Sequence, residues 1–401
     1  MTRIEIEALP GPPAARRRVE VVERKGLGHP DTLCDRLAEA AALALARHYI
    51  ELTGRVLHFN TDKALLVAGA SIPALGGGLV TAPIRFLLGD RATDEWGGHR
   101  IPVADIAAEA VGDWLRGHLR YVDPARHLAF ESVLRPGSAE LTGIYQSALP
   151  GANDTSTGVG VAPLTETEEL VIAAERHLNS PAFHARHPEC GEDVKVMAVR
   201  LERRLELTVA VAFVDRFVES EAGYFEAREE VRGELERSLR GRLRTLEELD
   251  VRVNTLDAPG RGTAGMYLTV LGTSADGADG GEVGRGNRPR GVIAFHRPCS
   301  LEAAAGKNPA GHVGKIYNAL AQQVAERVQA EVPGLEEVRA TLVSRIGAPL
   351  KEPWIASLEL VPTAGAALAE LEAPARAVLE RELAQVEELV ADLVAGRRPV
   401  C

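Results

Sequence analysis

Glu23-Arg24-Lys25-Gly26-Leu27-Gly28-His29-Pro30-Asp31 closes an apolar segment, Val19 to Val22, and runs straight into a strongly helical one that begins near Leu33. A Gly-rich turn carrying Lys, His and Asp at the mouth of a helix suits an anion. The helix N-terminus offers free N–H groups and a positive dipole end, and the glycines let phosphate approach the backbone. His29 can donate to a phosphate or leaving oxygen, and Asp31 can hold a divalent cation. The competing reading is a polar turn around a buried, satisfied histidine, and this segment alone does not separate the two.

Outward from it, residues 33–53 form an amphipathic helix, with Leu33, Leu37, Ala41, Leu45 and Tyr49 at helical spacing. Strand-like runs follow at Val56–Phe59, Ala64–Ala68 and Ala82–Leu88, the first two separated by Asn60-Thr61-Asp62-Lys63. A helix over 102–119, a strand over His127–Val133 and a long loop through residue 163 come next. Helix 166–178 leads to Val194–Leu201 and Leu205–Val214, which alternate as a hairpin with Arg203 and Arg204 near its tip. The cycle repeats: helix 221–248, strands Val251–Thr255 and Met266–Leu271, a Gly-rich loop 272–291, then helix 311–331. Strands Arg339–Ile346 and Ile355–Leu360 precede a helix over 366–396. Strand pairs alternating with long helices imply an α+β architecture of repeated sheet-and-helix units.

Composition narrows the class. At 401 residues the chain expects two or three domains, and 45% apolar residues suit a globular enzyme. A net charge of −11 argues against nucleic acid as a partner. No apolar run approaches the roughly 20 residues of a membrane span, and no signal-peptide core is expected at the N-terminus, where Arg3, Glu5 and Glu7 interrupt the apolar residues. Cys34, Cys190, Cys299 and Cys401 form no CxxC pair, so a reduced, cytoplasmic protein is the simplest account. His184, His187 and Cys190 have metal-like spacing but no second pair to close a tetrahedral shell.

Three further segments match the chemistry of the first: Ala152-Asn153-Asp154-Thr155-Ser156-Thr157-Gly158-Val159-Gly160; Gly191-Glu192-Asp193-Val194-Lys195; and Gly272 to Tyr317, with Asp279, Gly284-Arg285-Gly286-Asn287, Gly306-Lys307-Asn308-Pro309 and His312-Val313-Gly314-Lys315. Together, in this order, they resemble the S-adenosylmethionine synthetases, in the archaeal-type branch. The resemblance covers most of the chain from about Glu20. It implies three similar sheet-plus-helix domains around a pseudo-threefold axis, interleaved in sequence, here over roughly 1–125, 126–260 and 261–401. It also implies a homodimer or dimer of dimers with active sites between subunits.

The reaction implied is attack of the methionine sulfur on C5′ of ATP, expelling triphosphate, which is then hydrolysed to diphosphate and phosphate. A thioether has no proton to lose, so no base is needed; alignment and stabilisation of the leaving charge are. By resemblance, His29 lies near the leaving oxygen and phosphates. Asp31 and Asp279 hold magnesium, two ions per site, with potassium as an added cation. Glu23 belongs to the substrate pocket and Asp154 lies by the reacting methionine. Asp193 sits at the nucleotide. Lys195, Arg285, Lys307 and Lys315 lie on the phosphate chain, and Asp62 is a monovalent-cation or substrate contact. Spaced two apart, Asp193 and Lys195 should face one side of a strand.

Departures from the branch pattern are Lys63 for Glu, Arg135-Pro136-Gly137-Ser138 for Gly-Gln-Gly-Ser, and Thr157 for Phe. They fall where methionine recognition is expected, leaving the triphosphate residues whole. Walker, Rossmann and kinase signatures are absent. The alternatives are a paralogue acting on a methionine analogue and a non-catalytic nucleotide-binding partner of a true synthetase.

Overall fold

The computed structural model describes residues 2–138, 142, 143, 145 and 151–401, so part of the loop expected before residue 163 lies outside the described residues. Among the described residues, three larger sheets, of four, six and four strands, organise the chain. Each carries helices on one face, and each draws its strands from distant stretches.

In the first unit, the helix Pro30–Thr53 buries Leu33, Leu37, Ala41, Leu45 and Tyr49. Proline at its first position suits the start of a helix, and Gly54 ends it in the left-handed region (φ 76°). It packs on the sheet Gly281–Glu282, Phe59–Val67, Ile84–Ala92 and Leu128–Ser132, next to helix Val103–His118. Asn60–Lys63 does not separate two strands as its polarity suggests. It is a bulge inside Phe59–Val67, where the register slips between Asn60 and Lys63. The buried polar groups there are satisfied from far along the chain: the N–H and hydroxyl of Thr61 both donate to the Gly306 carbonyl (2.9 and 2.7 Å).

The second unit is the six-stranded sheet, ordered Glu248–Val253, Arg204–Val214, Cys190–Leu201, Val19–Lys25 and Ile293–Ala294, with Leu268–Thr269 pairing beside Arg204–Val214. The hairpin turns at Glu202, which takes φ 54°. Helices Glu166–Leu178 and Glu221–Arg240 cover one face; the first opens with a full capping box between Thr165 and Glu168.

The third unit holds Arg3–Ala8, Ile355–Pro362, Leu335–Val343 and Thr157–Ala162, under helices Val313–Glu331 and Leu368–Ala384. Thr157–Ala162 reads as loop in sequence because glycine replaces every second side chain. Those glycines are what let the helix lie directly on the strand: a Cβ at Gly158 or Gly160 would strike the carbonyls of Tyr317 or Ala321. The C-terminal helical stretch is two helices, Leu368–Ala384 and Val386–Val394, broken at Gln385.

Pairing crosses the boundaries expected at 125 and 260. Leu128–Ser132 joins Ile84–Ala92, and both Glu248–Val253 and Leu268–Thr269 flank Arg204–Val214. One hydrophobic core runs beneath the first and third units and a second fills the six-stranded unit. Among the described residues no helix is long and apolar enough to cross a membrane. Gly160→Ala should destabilise the protein by about 1–3 kcal/mol through overpacking against Ala321, read as a lower unfolding midpoint in urea; an unchanged midpoint would contradict this packing.

Candidate active site

The opening motif forms a corner between the second and first units. Val19–Lys25 pairs with the strand holding Lys195, placing Lys195 opposite Lys25 and Met197 opposite Glu23. Gly26 and Gly28 then lie flat on the neighbouring backbone, donating to the carbonyls of Val194 (2.5 Å) and Glu192 (2.8 Å). A Cβ on Gly28 would stand 2.5 Å from the Asp193 nitrogen, so only glycine permits the approach.

His29 follows as the helix N-cap, and its Nδ1 accepts the N–H of Asp31 (3.2 Å). That bond puts the proton of the neutral ring on Nε2, a donor. Burial pushes the imidazole down to about 4, Asp31 opposing and Lys25 and Lys195 reinforcing the fall. Around it Lys25 Nζ meets Asp31 (2.8 Å), the Arg285 carbonyl (2.7 Å) and Glu23 (3.7 Å), while Lys195 meets Glu23 (3.6 Å). Burial raises Asp31, but the Lys25 ammonium and the Glu282 N–H outweigh it and hold the carboxyl below the usual carboxylate range.

The Gly-rich segment is fastened to this helix. Asp31 accepts the N–H of Glu282 (3.0 Å), and Asp35, one turn on, accepts those of Gly284 (2.6 Å) and Gly286 (3.1 Å). Asn287 bonds both backbone groups of Lys25 (3.0 and 2.7 Å). The Arg285 side chain stays 65% exposed, 3.9 Å from Glu282, and so is free to meet a ligand. Asp279 is exposed two residues before Gly281, which packs against the backbone of Pro30 and Asp31.

Asp193 does not share a face with Lys195. A register shift between Cys190 and Val194 breaks the alternation. Its carboxylate turns to the Gly-rich loop, accepting the N–H (2.8 Å) and hydroxyl (2.6 Å) of Ser274, and burial raises it to about 6 against those bonds. Asp193 thus supports the loop from behind.

A second cluster lines an open cleft formed by Asp62, Lys63, Thr155–Thr157 and Ser300–Ala303 with Lys307. Lys307 pairs with Asp62 and with Glu302 (3.1 Å), and Glu302 accepts the Ser156 hydroxyl (2.9 Å). Lys63 also meets Asp62 (2.6 Å) and Asn60 donates to it (2.7 Å), so burial notwithstanding, Lys307 and Lys63 hold Asp62 low. Ammonium and amide groups thus surround the carboxylate expected to meet a monovalent cation or the substrate. Asp154 is exposed on a loop whose backbone is held by Ser344 (2.8 Å). Gly284 packs against Ala303, joining the two clusters.

Lys315 stands apart from both. It is fully buried, with its ammonium on both oxygens of Glu39 (2.8 and 2.7 Å), and Glu39 also accepts the Gly306 N–H (2.9 Å). The expected phosphate contact is therefore a core ion pair that shapes the Lys307 loop. His312 repeats the His29 geometry, capping helix Val313–Glu331 with Nδ1 on the Gly314 N–H (3.2 Å), and burial, helped by Lys307, drives it to about 3. His187 spends its ring nitrogens on Glu189 (3.0 Å) and Glu234 (3.2 Å), and Cys190 lies in the core.

The sequence pattern of the family described as S-adenosylmethionine synthetase (AdoMet synthetase) matches residues 2–397. The chain belongs to this family. It is 42% identical to the probable S-adenosylmethionine synthase of Aquifex aeolicus over 393 residues, 97% of each chain. It is 44% identical to the S-adenosylmethionine synthase of Pyrobaculum neutrophilum over 400 residues, and 43% to that of Halobacterium salinarum over 406, at 98% coverage of both chains in each case. An unusual S-adenosylmethionine synthetase from Campylobacter jejuni shares the fold, with a TM-score of 0.60, 15% identity and 94% coverage of each chain.

Within this synthetase fold, sequence reasoning placed Lys25 in an anion-binding turn without giving it a partner, and missed Asp35, Glu39 and Glu302. Lys25, two residues after Glu23 on a strand, and Asp35, one turn after Asp31, had a readable periodicity. Glu302 lies in an irregular run with no such signal. Asp35→Ala should speed hydrogen exchange at the Gly284 and Gly286 amides by about tenfold or more, since each loses its acceptor. His312 carries a second expectation. With its folded value near 3 and an unfolded value near 6.5, it contributes stability that is lost as pH falls from about 6.5 toward 3. His312→Asn keeps a capping acceptor without the titration, so its unfolding midpoint should gain on wild type as pH falls through that window; parallel curves would contradict the assignment.

Proposed function

We propose that this chain makes S-adenosylmethionine from ATP and methionine, with the His29 corner receiving the triphosphate and the Asp62–Lys307 cleft facing the amino acid. The observation that carries the reading is the convergence of Lys25, Lys195 and a neutral, Nε2-protonated His29 on a helix N-terminus, bordered by the loop that carries the exposed Arg285, in a chain that matches the synthetase family nearly end to end.

In the reaction the sulfur lone pair forms the C5′–S bond while the C5′–O5′ bond breaks and its electrons leave on the triphosphate. His29 is suited to donate Nε2–H to that leaving oxygen without first gaining a proton. Lys195 and Arg285 supply positive charge along the phosphates, and Lys25, tied to Asp31 and the Arg285 carbonyl, fixes the two walls of the corner relative to each other. Asp154 would offset the charge of the sulfonium product.

Among the described residues no three His, Cys, Asp or Glu side chains form a metal shell. Two aspartates at the Gly-rich loop would hold magnesium, the exposed Asp279 and Asp31, whose oxygens now accept the Lys25 ammonium and the Glu282 N–H, with phosphate and water supplying the remaining ligands. When bound, the ion adds charge neutralisation on the leaving group.

We further read the protein as a cytoplasmic homodimer. Val19, Val199 and Leu201 stand 41%, 41% and 48% exposed on the helix-free face of the six-stranded sheet, which ends at Glu23 and Lys195. A second copy on that face would bury them and border the corner.

Purified protein with ATP, Mg²⁺, K⁺ and methionine should yield S-adenosylmethionine with diphosphate and phosphate in equal amounts, followed by chromatography; ATP binding without any product would overturn the reading. Lys195→Ala and Arg285→Ala should each cut turnover by roughly 10²-fold or more, the loss of one charge contact in the transition state. Near-normal rates in both would remove the corner from the chemistry.

A further inference from the structure

Away from both clusters, a cavity of about 540 Å³ opens where Gly78–Pro83 and Arg120–His127 of the first unit meet Arg216 and Val270–Leu271 of the second. Its charged lining is mostly cationic. Arg126 is exposed, and its guanidinium has no hydrogen-bond or ion-pair partner among the described residues. Arg216 lies over the Tyr121 ring (5.1 Å) and donates to the Val270 carbonyl (3.3 Å), with no carboxylate in ion-pair range among the described residues.

His127 completes the set. Its Nδ1 accepts the Asp123 N–H (3.0 Å), which leaves the proton of the neutral ring on Nε2. Burial lowers its pKa, Arg126 and Arg216 lower it further, and Asp123 opposes them; all four side chains line the same cavity. Among the described residues the lining has one carboxylate, Asp123, which is exposed and takes the Ala125 N–H (3.1 Å). Arg120 is already committed, to Glu192 (2.5 Å) and to the Cys190 carbonyl.

Two guanidinium groups without counter-ions and an imidazole donor around one concavity form an incomplete electrostatic arrangement, which an anion would complete. We propose that this cavity is a second anion site, which receives the phosphate group of a small phosphorylated molecule independently of the catalytic corner. Two planar forks and a ring N–H offer donors in more than one plane, which suits the tetrahedral oxygens of phosphate better than a flat carboxylate. The volume falls within the range of small-molecule sites and leaves room for an organic body beside the phosphate.

Equilibrium dialysis against radiolabelled inorganic phosphate tests this on wild type, Arg126→Gln/Arg216→Gln and His29→Ala/Lys195→Ala. The arginine double variant should bind one phosphate fewer per chain, or bind it about tenfold more weakly or worse, while His29→Ala/Lys195→Ala retains that phosphate. Arg126→Gln alone, at an exposed position that leaves the fold intact, should also weaken binding. Displacement of the label by glycerol 3-phosphate would assign the site to phosphomonoesters, and displacement by inorganic phosphate only would assign it to the free ion. Identical isotherms for wild type and both arginine variants, or displacement by succinate as readily as by phosphate, would overturn the proposal.

Discussion

Two carboxylates one helical turn apart hold the site together. Asp31 and Asp35 project from the start of one helix and accept backbone N–H groups of Glu282, Gly284 and Gly286, some 250 positions along the chain. The glycines matter because a side chain at Gly281 would strike the Pro30 carbonyl and one at Gly286 would strike Asp35 itself. This attachment orients the Lys25 ammonium toward the Arg285 carbonyl and leaves the Arg285 side chain outside. Burial pushes Asp35 up to about 7 even with two N–H donors lowering it, so holding this charge in place carries an electrostatic cost.

The electrostatics of the resting corner follow from the same arrangement. Its cations are not bare: Lys25 and Lys195 share Glu23, Lys25 also holds Asp31, and Lys307 holds Asp62 and Glu302. Paired in this way, the ammonium groups are positioned before a ligand arrives and need little rearrangement to meet one. Any anion bound there would compete with these carboxylates for the ammonium groups. Neutral His29 needs no such exchange, since its donor hydrogen is set by the N-cap bond alone.

Much of this was legible in the sequence. The helix at Pro30 announced itself through the Gly-x-Gly-His-Pro turn and the Leu33-to-Tyr49 stripe, and the hairpin through the broad alternation of Val194–Leu201 and Leu205–Val214. What sequence concealed were positions whose role is set by a distant partner. Thr61 and Asp62 read as a polar break because Gly306 and Lys307, which satisfy them, lie in another segment. Thr157–Ala162 read as loop because its glycines answer to a helix that begins at Val313. Lys315 read as a phosphate ligand by family resemblance, while Glu39, on the first helix, claims its charge.

The parallel pairing of Arg3–Ala8 with Ile355–Pro362 has a consequence for the order of events on the ribosome. The six-stranded unit has all but its short Ile293–Ala294 strand once translation passes Thr269, and it can begin to consolidate while synthesis continues. The strand at residues 3–8 must wait through some 350 further residues for its neighbour. Throughout that interval the nascent chain carries a free edge whose Ile4 and Ile6 have nowhere to pack. A chain cut before Ile355 therefore leaves the strand at residues 3–8 without its parallel neighbour.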